Sequence, residues 1–436
     1  MKVLVLGSGG REHAIAWKLL RSSTPVELFI APGNAGTAAL GTNVTLNPND
    51  FAAVKTFCLE AHIEMVVVGP EEPLVRGIYD YFKEDEALRH IIITGPSAKG
   101  AQLEGSKAFA KAFMMRHQIP TAAYREFDEN SYEEGVSYLR NHTLPIVLKA
   151  DGLAAGKGVL ICSSTEEAIN EFSSMVRESK FGDSGKKVVV EQFLDGIELS
   201  VFVCTDGAQY VMLPEAKDYK KIGVGDTGLN TGGMGAVSPV PFATPHFMQK
   251  VIDRIVDPTI AGLRQENIDY KGFIFFGLIK VDDEPYVIEY NCRLGDPETE
   301  VILLRFRNDF VELLKAMHEG NLSGITPDID KNTAVTIMAV SGGYPSTYSK
   351  GYPIAFNYLN NPMEIKHIDE EGGVEVFHAG TRLEGDEVLT NGGRVLAVSS
   401  LAGAIGECLE LSMEVMGQIH FDKMYYREDI GHEFVD

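Results

Sequence analysis

The sequence predicts an α/β protein with a doubly wound βαβ domain at its N-terminus, a mixed central region and a C-terminal α+β domain. Four short apolar runs in the first hundred residues each end in glycine or proline, as parallel strands do where they enter loops. A chain of 436 residues is too long for one ordinary hydrophobic core, so two or three domains are expected. We divide the chain where the pattern of apolar runs and helical segments changes, into domains at residues 1–103, 104–327 and 328–436.

The N-terminal domain is predicted from its strands. They read KVLVLG, ELFIAPG, MVVVGP and IIITGP, and helical segments separate them. In doubly wound sheets, ligands bind beyond the carboxyl ends of such strands.

The central region opens with the helical run GSKAFAKAFMMRHQI and continues into a smaller mixed unit at about residues 121–195. Longer strands and helices follow this unit. From residue 328 the runs TAVTIMAV, VEVFHAGT and RVLAVSS indicate the α+β domain.

Composition excludes several classes of function. The formal net charge of −23 argues against a nucleic-acid groove, which requires a basic face. We predict no membrane span and no signal peptide, because no apolar run is long enough and MKVLVLGSGG reaches glycine too early. The five cysteines are scattered, without a disulfide or zinc pattern, so we expect a cytoplasmic protein.

The first glycine-rich loop, GSGGREHA, follows a strand and opens a helix, so its N–H groups can hold an anion. It matches the dinucleotide pattern poorly, because Glu12 stands where the third glycine belongs. Gly9, Gly10 and Arg11 suit a single phosphate instead. On this motif alone, a glycine turn with a surface arginine remains equally open.

Two further polar loops end at the same edge of the predicted sheet, APGNAGT (31–37) and GPEEPL (69–74). Their convergence favours a small phosphorylated substrate, with candidate binding residues Asn34, Gly36, Thr37 and Glu71.

A second glycine-rich loop, VLKADGLAAGKGV, carries Lys149 on the entering strand and Gly156, Lys157 and Gly158 within the loop. Glycines let a backbone approach phosphate oxygens, and lysines neutralise their charge. The loop is not a Walker A motif, because GKG lacks the magnesium-binding Ser or Thr.

The segment VVVEQFLDGIELS offers partners for a nucleoside. The backbone from Glu191 through Phe193 to Leu194 can pair with an adenine edge, and Glu198 can accept hydrogen bonds from ribose hydroxyls.

The stretch VIEYNCRLGDPETE places Glu289 and Asn291 on one face of a strand, because side chains repeat every two residues. A carboxylate and an amide both offer hard oxygen ligands, and this combination indicates a site for Mg²⁺ or Mn²⁺ bound together with ATP. Arg293 follows, in a position to meet a phosphoryl group in transit. Taken alone, the stretch is also compatible with a salt-bridge network at a strand end.

Taken together, these motifs resemble the ATP-grasp ligases and, more narrowly, the phosphoribosylamine–glycine ligase family. The resemblance runs in order through nearly the whole chain and rests on GSGGREHA, PGNAGT, GPEEPLVRG, QLEGSKAFAK, KADGLAAGKGV, DTGLNTGGMGAVSP, EYNCRLGDPETE, HAGT and NGGRVL.

The resemblance implies an N-terminal substrate domain, an ATP-grasp domain with a mobile lid and a C-terminal domain. It also implies that ATP, glycine and 5-phosphoribosylamine are joined through glycyl phosphate. Lys107 and Lys149 would contact ATP phosphates, Glu198 its ribose, and Glu289 with Asn291 the metal. The remaining candidates for substrate binding or catalysis are Asp218, Lys220, Asn230, Thr231, Gly232, Gly233 and Asp296, the last as partner of the glycine ammonium group. We expect a monomer that binds neither nucleic acid nor membrane.

The chain departs from the family pattern at a few positions. Residues 217–221 read KDYKK where the family commonly has QDHKR, Leu229 replaces a proline, and Glu300 replaces a glutamine. The strand GFIFFGLIKV lacks the acid that many ATP-grasp enzymes carry there. Arg394 and His378 are further candidates for substrate contact, although each can equally cap a turn.

Three other functions stay open at this point. They are a different ATP-grasp ligase that activates another carboxylate, a nicotinamide dehydrogenase and an inactive nucleotide-binding module. Turnover that requires bicarbonate would indicate the different ligase. Quenching of the Trp17 fluorescence by NADH would indicate the dehydrogenase, and ATP binding without turnover would indicate the inactive module.

Overall fold

Five parallel strands form the sheet of the N-terminal region in a computed structural model that describes residues 1–153, 158–178, 180, 186–357, 367–369 and 372–435. Their order is β3-β2-β1-β4-β5. The strands are β1 (Lys2–Gly7), β2 (Glu27–Pro32), β3 (Thr42–Asn43), β4 (Met65–Val68) and β5 (Ile92–Pro96). The helices are α1 (Gly10–Leu19), α2 (Phe51–Ala61), α3 (Glu71–Val75), α4 (Ile78–Glu84) and α5 (Ala98–Gly105). The predicted doubly wound βαβ fold is confirmed.

A small antiparallel sheet follows the helix α6 (Lys107–Arg116) and has the strand order β6-β9-β7-β8. Its strands are β6 (Tyr124–Asp128), β7 (Ile146–Ala150), β8 (Val159–Cys162) and β9 (Lys187–Gln192). The helices α7 (Tyr132–Arg140) and α8 (Thr165–Arg177) cover it, and Phe127 and Phe172 lie in the apolar cluster between them. This unit has its own small core, separate from the other two clusters of buried apolar residues in the described chain.

The larger central sheet is antiparallel and continuous with the N-terminal sheet. It contains β10 (Ile197–Thr205), β11 (Tyr210–Met212), β16 (Tyr270–Val281) and β17 (Glu284–Asn291). Pairing of Tyr270 with Pro96 joins β16 to β5, so that one sheet of nine strands crosses both regions. Four helices accompany it: α9 (Pro245–Val251), α10 (Asp257–Gln265), α11 (Thr299–Arg305) and α12 (Phe310–Glu319).

The C-terminal sheet has five antiparallel strands in the order β12-β15-β18-β23-β20. They are β12 (Lys217–Asp218), β15 (Gly235–Ser238), β18 (Thr333–Val340), β20 (Gly373–His378) and β23 (Arg394–Ala402). The helix α13 (Ile405–Met416) packs against β18 and β23. Two strands from the central region therefore belong to this sheet.

Three two-stranded hairpins or ribbons complete the described fold. They pair β13 (Lys221–Gly223) with β14 (Thr227–Asn230), β19 (Ala355–Phe356) with β24 (Ile419–His420), and β21 (Thr381–Glu384) with β22 (Glu387–Thr390).

All five cysteines are buried and free of disulfide bonds. In the part of the chain that the structure describes, no helix combines the length and apolar character that a membrane crossing requires.

Candidate functional site

The segment of residues 9–11 (loop 9–11) contains the N-cap and the first two residues of α1, and the side chain of Glu12 closes it. Gly7 has a φ of +127°, and a β-carbon there would lie 2.5 Å from Glu12. The Glu12 carboxylate accepts a hydrogen bond from the Gly9 N–H at 2.6 Å and pairs with Arg11 Nε at 2.7 Å. The acid that breaks the dinucleotide pattern thus caps its own helix, a role that the sequence analysis did not identify.

Arg11 is buried and held by contacts within the protein. Its guanidinium also donates to the Leu294 carbonyl at 3.1 Å, and its backbone N–H faces the Asp296 carboxylate at 3.5 Å. Burial alone would lower the pKa of Arg11, but Glu12 and Asp296 raise it, so the guanidinium stays charged.

Asn34 organises the second polar loop. Its Oδ1 accepts hydrogen bonds from the N–H groups of Gly36 and Thr37 at 2.9 and 3.0 Å. Its Nδ2 donates to the carbonyls of Ser8 and His378 at 3.0 and 2.7 Å. This side chain therefore ties the N-terminal loops to the end of β20.

A cavity of about 680 Å³ lies where these loops meet the C-terminal region. Its lining includes Gly9, Asn34 and Asp296, and the wall from the C-terminal region consists of residues 379–383, 391, 392 and 394. Arg382 and Asn391 of that wall were not identified from the sequence, although the HAGT and NGGRVL motifs mark their neighbourhood.

Arg394 joins the cavity to the turn after β17. Its Nη2 pairs with Asp296 Oδ1 at 2.8 Å, and its Nη1 donates to the backbone carbonyls of Asp296, at 2.7 Å, and of Gly232. The predicted partner of the glycine ammonium group, Asp296, is thus already paired with an arginine. Arg394 lies in the site, and His378 lies beside it, where its carbonyl holds Asn34.

Residues 230–233 (loop 230–233) turn next to Asp218. Gly233 has a φ of +114°, and a β-carbon there would lie 2.4 Å from Pro297 and 2.7 Å from Asp218 Oδ1. That oxygen is buried without a hydrogen-bond partner among the described residues. Burial and the neighbouring carboxylate of Glu298 raise the pKa of Asp218 well above its usual range. Glycine at residue 233 is what allows these groups to meet.

The backbone carbonyl of Lys220 holds the same loop, since it accepts hydrogen bonds from Thr231 N at 2.7 Å and Oγ1 at 2.9 Å. The Lys220 ammonium group pairs with Glu198 Oε2 at 2.8 Å. Burial would lower the pKa of Lys220, but Glu198 and Glu289 raise it. Asn230 ends β14 and is exposed. Lys220 therefore connects the loop to the predicted nucleotide site.

Lys149 on β7 reaches from the small sheet to β17. Its Nζ pairs with Glu191 Oε2 at 2.9 Å and donates to the Ile288 carbonyl at 3.2 Å. Glu191 also pairs with Lys111 at 3.2 Å, and all three charged groups are buried. Lys111 was not identified from the sequence, where it resembles an ordinary helix residue.

The other predicted nucleotide contacts surround this triad. Lys107 begins α6 and donates to the Gly152 carbonyl at 2.9 Å. Phe193 and Leu194 follow β9 and are half-buried, whereas Gly158 is buried and its carbonyl bonds to Ala150. Two predicted residues, Gly156 and Lys157, lie outside the described residues.

Glu289 and Asn291 lie two residues apart near the end of β17. The register between β16 and β17 shifts at this point, and Gly277 of β16 pairs with Glu289. In β16, the strand without the acid that many ATP-grasp enzymes carry, a glycine therefore stands opposite Glu289. No hydrogen bond or ion pair engages the Glu289 carboxylate within the described chain. Burial would raise the pKa of Glu289, but the ammonium groups of Lys220, Lys149 and Lys107 lower it.

Asn291 and Arg293 form a second small network. Asn291 Oδ1 accepts a hydrogen bond from Arg293 Nη2 at 3.2 Å, and Asn291 Nδ2 is buried without a partner among the described residues. Arg293 also pairs with Glu104 at 3.1 Å and with Glu71 at 3.5 Å. Glu71 thus faces the arginine. Glu104, which was not identified from the sequence, also accepts a hydrogen bond from the Cys292 N–H.

The donor set fits Mg²⁺ or Mn²⁺ that is bound together with phosphates. The described residues contain no cluster of three or more His, Cys, Asp and Glu side chains suited to a metal ion. Mg²⁺ commonly takes only one or two carboxylates and completes its shell with phosphate and water. An unpaired carboxylate beside an amide oxygen meets that requirement.

The fold and site together define a protein of the ATP-grasp class, in which a small antiparallel sheet lies over a larger one and Lys149 reaches from the first to the second. Three family models match the chain in succession. They describe the N domain, the ATP-grasp (A) domain and the C domain of phosphoribosylglycinamide synthetase, at residues 1–104, 105–299 and 334–433.

Full-length relatives agree with these matches. The chain is 45% identical to phosphoribosylamine–glycine ligase of Escherichia coli K12, over 99% of this chain and 98% of the relative. It is 43% identical to the Vibrio parahaemolyticus enzyme of the same name, over 100% and 99%. The crystal structure of phosphoribosylamine–glycine ligase from Thermotoga maritima has a TM-score of 0.83 at 35% identity and covers 99% of this chain and 100% of that one. The protein therefore belongs to the phosphoribosylglycinamide synthetase family.

Proposed function

We propose that the protein joins glycine to 5-phosphoribosylamine with ATP, giving glycinamide ribonucleotide, ADP and phosphate for purine synthesis. The observation that supports this most strongly is the turn 293–298, which separates two sites. On one side are the lysines around Glu289, and on the other is the cavity that Asp296 lines. Its full-length relatives carry the name of this activity.

ATP binds between the small sheet and the central sheet in this proposal. Lys107 and Lys149 neutralise its phosphates, and Glu198 accepts hydrogen bonds from the ribose. The buried pairing of Lys149 with Glu191 fixes the direction of the ammonium group before ATP arrives. Such preorganisation reduces the cost of ordering flexible side chains on binding.

Glu289 and Asn291 would hold the metal, which neutralises phosphate charge and orients the γ-phosphoryl group when bound. Arg293 adds a guanidinium near the same place, already oriented by Glu104. A cation held this way can stabilise charge on the transferring phosphoryl group without reorganising.

The glycine carboxylate attacks the γ-phosphorus atom, the bond to the bridging oxygen of ADP breaks, and glycyl phosphate forms. The phosphoribosylamine nitrogen then attacks the glycyl carbonyl carbon, phosphate leaves and the amine loses a proton. Asp296 supplies a carboxylate for the glycine ammonium group, Asp218 adds a carboxyl group as a hydrogen-bond partner, and Lys220 supplies a cation toward the nucleotide. Positioning and charge neutralisation contribute most of the acceleration.

Phosphoribosylamine binds in the cavity, with its phosphate toward loop 9–11 and its amine toward Asp296. A volume of about 680 Å³ accommodates a sugar phosphate, and Arg382 and Arg394 add positive charge to an otherwise acidic protein. Local donors must supply this attraction because the overall field repels anions.

The decisive experiment measures ADP release with glycine and phosphoribosylamine added separately and together. Release that requires both substrates, with glycinamide ribonucleotide identified by mass spectrometry, supports the proposal. Release that depends on bicarbonate instead of glycine would assign the protein to a different ATP-grasp reaction.

A further inference from the structure

Glu300 is a fully buried carboxyl group for which the proposed reaction has no role. It lies on α11, which packs against α1, and its side chain is inaccessible to solvent. Neither carboxyl oxygen has a hydrogen-bond partner among the residues that the structure describes. An ionised carboxylate in this place would lose its hydration without compensation, which proteins generally avoid by keeping the group neutral.

The carboxyl group lies directly against the start of α1. A β-carbon built on Gly10 would lie only 2.2 Å from Glu300 Oε1, so the packing requires glycine at residue 10. The neighbouring Gly9 lines the cavity, and a β-carbon there would lie 2.9 Å from Asp296 Oδ2. Glu300 therefore supports loop 9–11 from the side of the protein interior.

The charges around Glu300 come from the turn 293–298 and from β23. Burial comes first and Asp296 second among the factors that raise its pKa well above the usual range, and Glu298 adds to them. Arg394 on β23 acts in the opposite direction.

Among the other elements packed against α11, the charged groups of α1 have partners of their own. Arg11 and Glu12 pair with each other, His13 Nδ1 accepts a hydrogen bond from the His378 N–H, and Lys18 donates to the Phe306 carbonyl. The strands β15 and β18 carry no titratable side chain within their bounds.

We propose that Glu300 is a positioning residue that keeps its proton and supports loop 9–11 as a neutral group, so that a phosphate can bind in the cavity beside Gly9. Ionisation at alkaline pH would place a second carboxylate beside Asp296 and repel that phosphate. Affinity for a sugar phosphate then falls with rising pH, and binding above the transition takes up a proton. This inference rests on the proposed function, which places the phosphate of the substrate at the loop.

Glu300→Gln keeps the shape of the side chain and removes its titration. Isothermal titration calorimetry with ribose 5-phosphate, from about pH 7 to about pH 10 in buffers of different ionisation heat, measures affinity and proton uptake. We expect at least a tenfold loss of affinity with proton uptake in the wild type, and neither in Glu300→Gln. The exposed control Glu319→Gln should behave as the wild type. The same pH dependence in Glu300→Gln overturns the inference.

Two further measurements keep the test decisive. Infrared difference spectra of the wild type against Glu300→Gln should contain the carbonyl band of a protonated carboxylic acid at neutral pH, and its absence overturns the neutral state of Glu300. Glu298→Gln removes a neighbouring charge and should move the affinity loss to lower pH, whereas an unchanged curve contradicts the charge balance described above. If ribose 5-phosphate does not bind while the infrared band is present, the placement of phosphate at the loop fails and the protonated state stands.

Discussion

Charged side chains of the site are oriented by partners that lie far away in the sequence. Arg394 bonds to the Asp296 backbone 98 residues earlier, and Lys149 bonds to the Ile288 carbonyl 139 residues later. Buried ion pairs of this kind contribute little net stability, but removing one partner leaves an uncompensated charge. Single substitutions that keep the charge or the shape of these side chains should therefore test geometry at the site with less loss of stability than truncations.

Glu289→Gln should weaken productive binding of ATP with metal, because a hard cation loses a charged ligand. We expect kcat/KM for ATP to fall by about tenfold or more, equivalent to roughly 1.4 kcal/mol. Steady-state kinetics across a magnesium series should recover part of this activity at high magnesium. Glu284→Gln, at the opposite end of β17, is the matched control. Wild-type magnesium dependence in Glu289→Gln would show that the carboxylate is structural only.

Arg394→Lys should raise the KM for phosphoribosylamine by about tenfold and leave that for ATP unchanged. Lysine keeps the charge but cannot bond at once to Asp296 and to the Gly232 carbonyl, as the planar guanidinium does. Separate saturation curves for the three substrates measure the effect, with exposed Arg89→Lys as the control. An equal rise for ATP would instead indicate a general loss of structure.

At the scale of elements, the sequence predicted local structure well and partners less well. Strand ends at Gly and Pro and the spacing of Glu289 and Asn291 are local signals, and the strands β1, β2, β4, β5 and β17 follow them. The pairing of β15 with the C-terminal strand β18, which also brings β12 into that sheet, has no local signal, because residues far apart in sequence determine it. Glu12 was read only as a missing glycine, although its partners Gly9 and Arg11 are close to it in the sequence.

Arg427 anchors the hairpin of β13 and β14 to the C-terminal segment. It is almost completely buried and pairs with Asp226 and Asp429, each at 2.7 Å, and it donates to the Lys221 carbonyl at 3.1 Å. Arg427→Met should destabilise the protein by about 3 kcal/mol, since two carboxylates lose their partner.

Hydrogen exchange should locate the loss of protection in the hairpin, residues 221–230, more than in the N-terminal sheet. Chemical denaturation measures the free energy of unfolding, and exposed Arg89→Met provides the control. Unchanged hairpin protection in Arg427→Met would contradict the anchoring role.

The whole molecule is held together by elements shared between its regions. One sheet of nine strands crosses the N-terminal and central regions, and α1 packs against both α11 and β20. In the sequence the three regions read as consecutive, because the pattern of apolar runs along the chain cannot reveal a shared sheet. The interface between α1 and β20 therefore joins the N-terminal and C-terminal regions, and a loss of stability there should affect the whole molecule.

The buried His13 and the half-buried His378 lie at this interface, and we expect them to make the protein sensitive to acid. His13 Nδ1 accepts a hydrogen bond from the His378 N–H at 2.8 Å, so it must be neutral. Burial lowers the pKa of His13 from 6.5 to about 3 and that of His378 from 6.5 to about 4. The unfolded chain binds protons below about pH 6.5 while the folded protein does not, so stability falls as pH falls from 6.5 toward 4.

Between about pH 7 and pH 5, each histidine should remove on the order of 1–2 kcal/mol from the free energy of unfolding. His378→Asn abolishes one titration, so its stability should fall less steeply with acidification, even if its stability at pH 7 is lower. Denaturation curves at closely spaced pH values provide the slope, and the exposed His246→Asn should retain the slope of the wild type. Parallel slopes for the wild type and His378→Asn would mean that other groups cause the acid sensitivity.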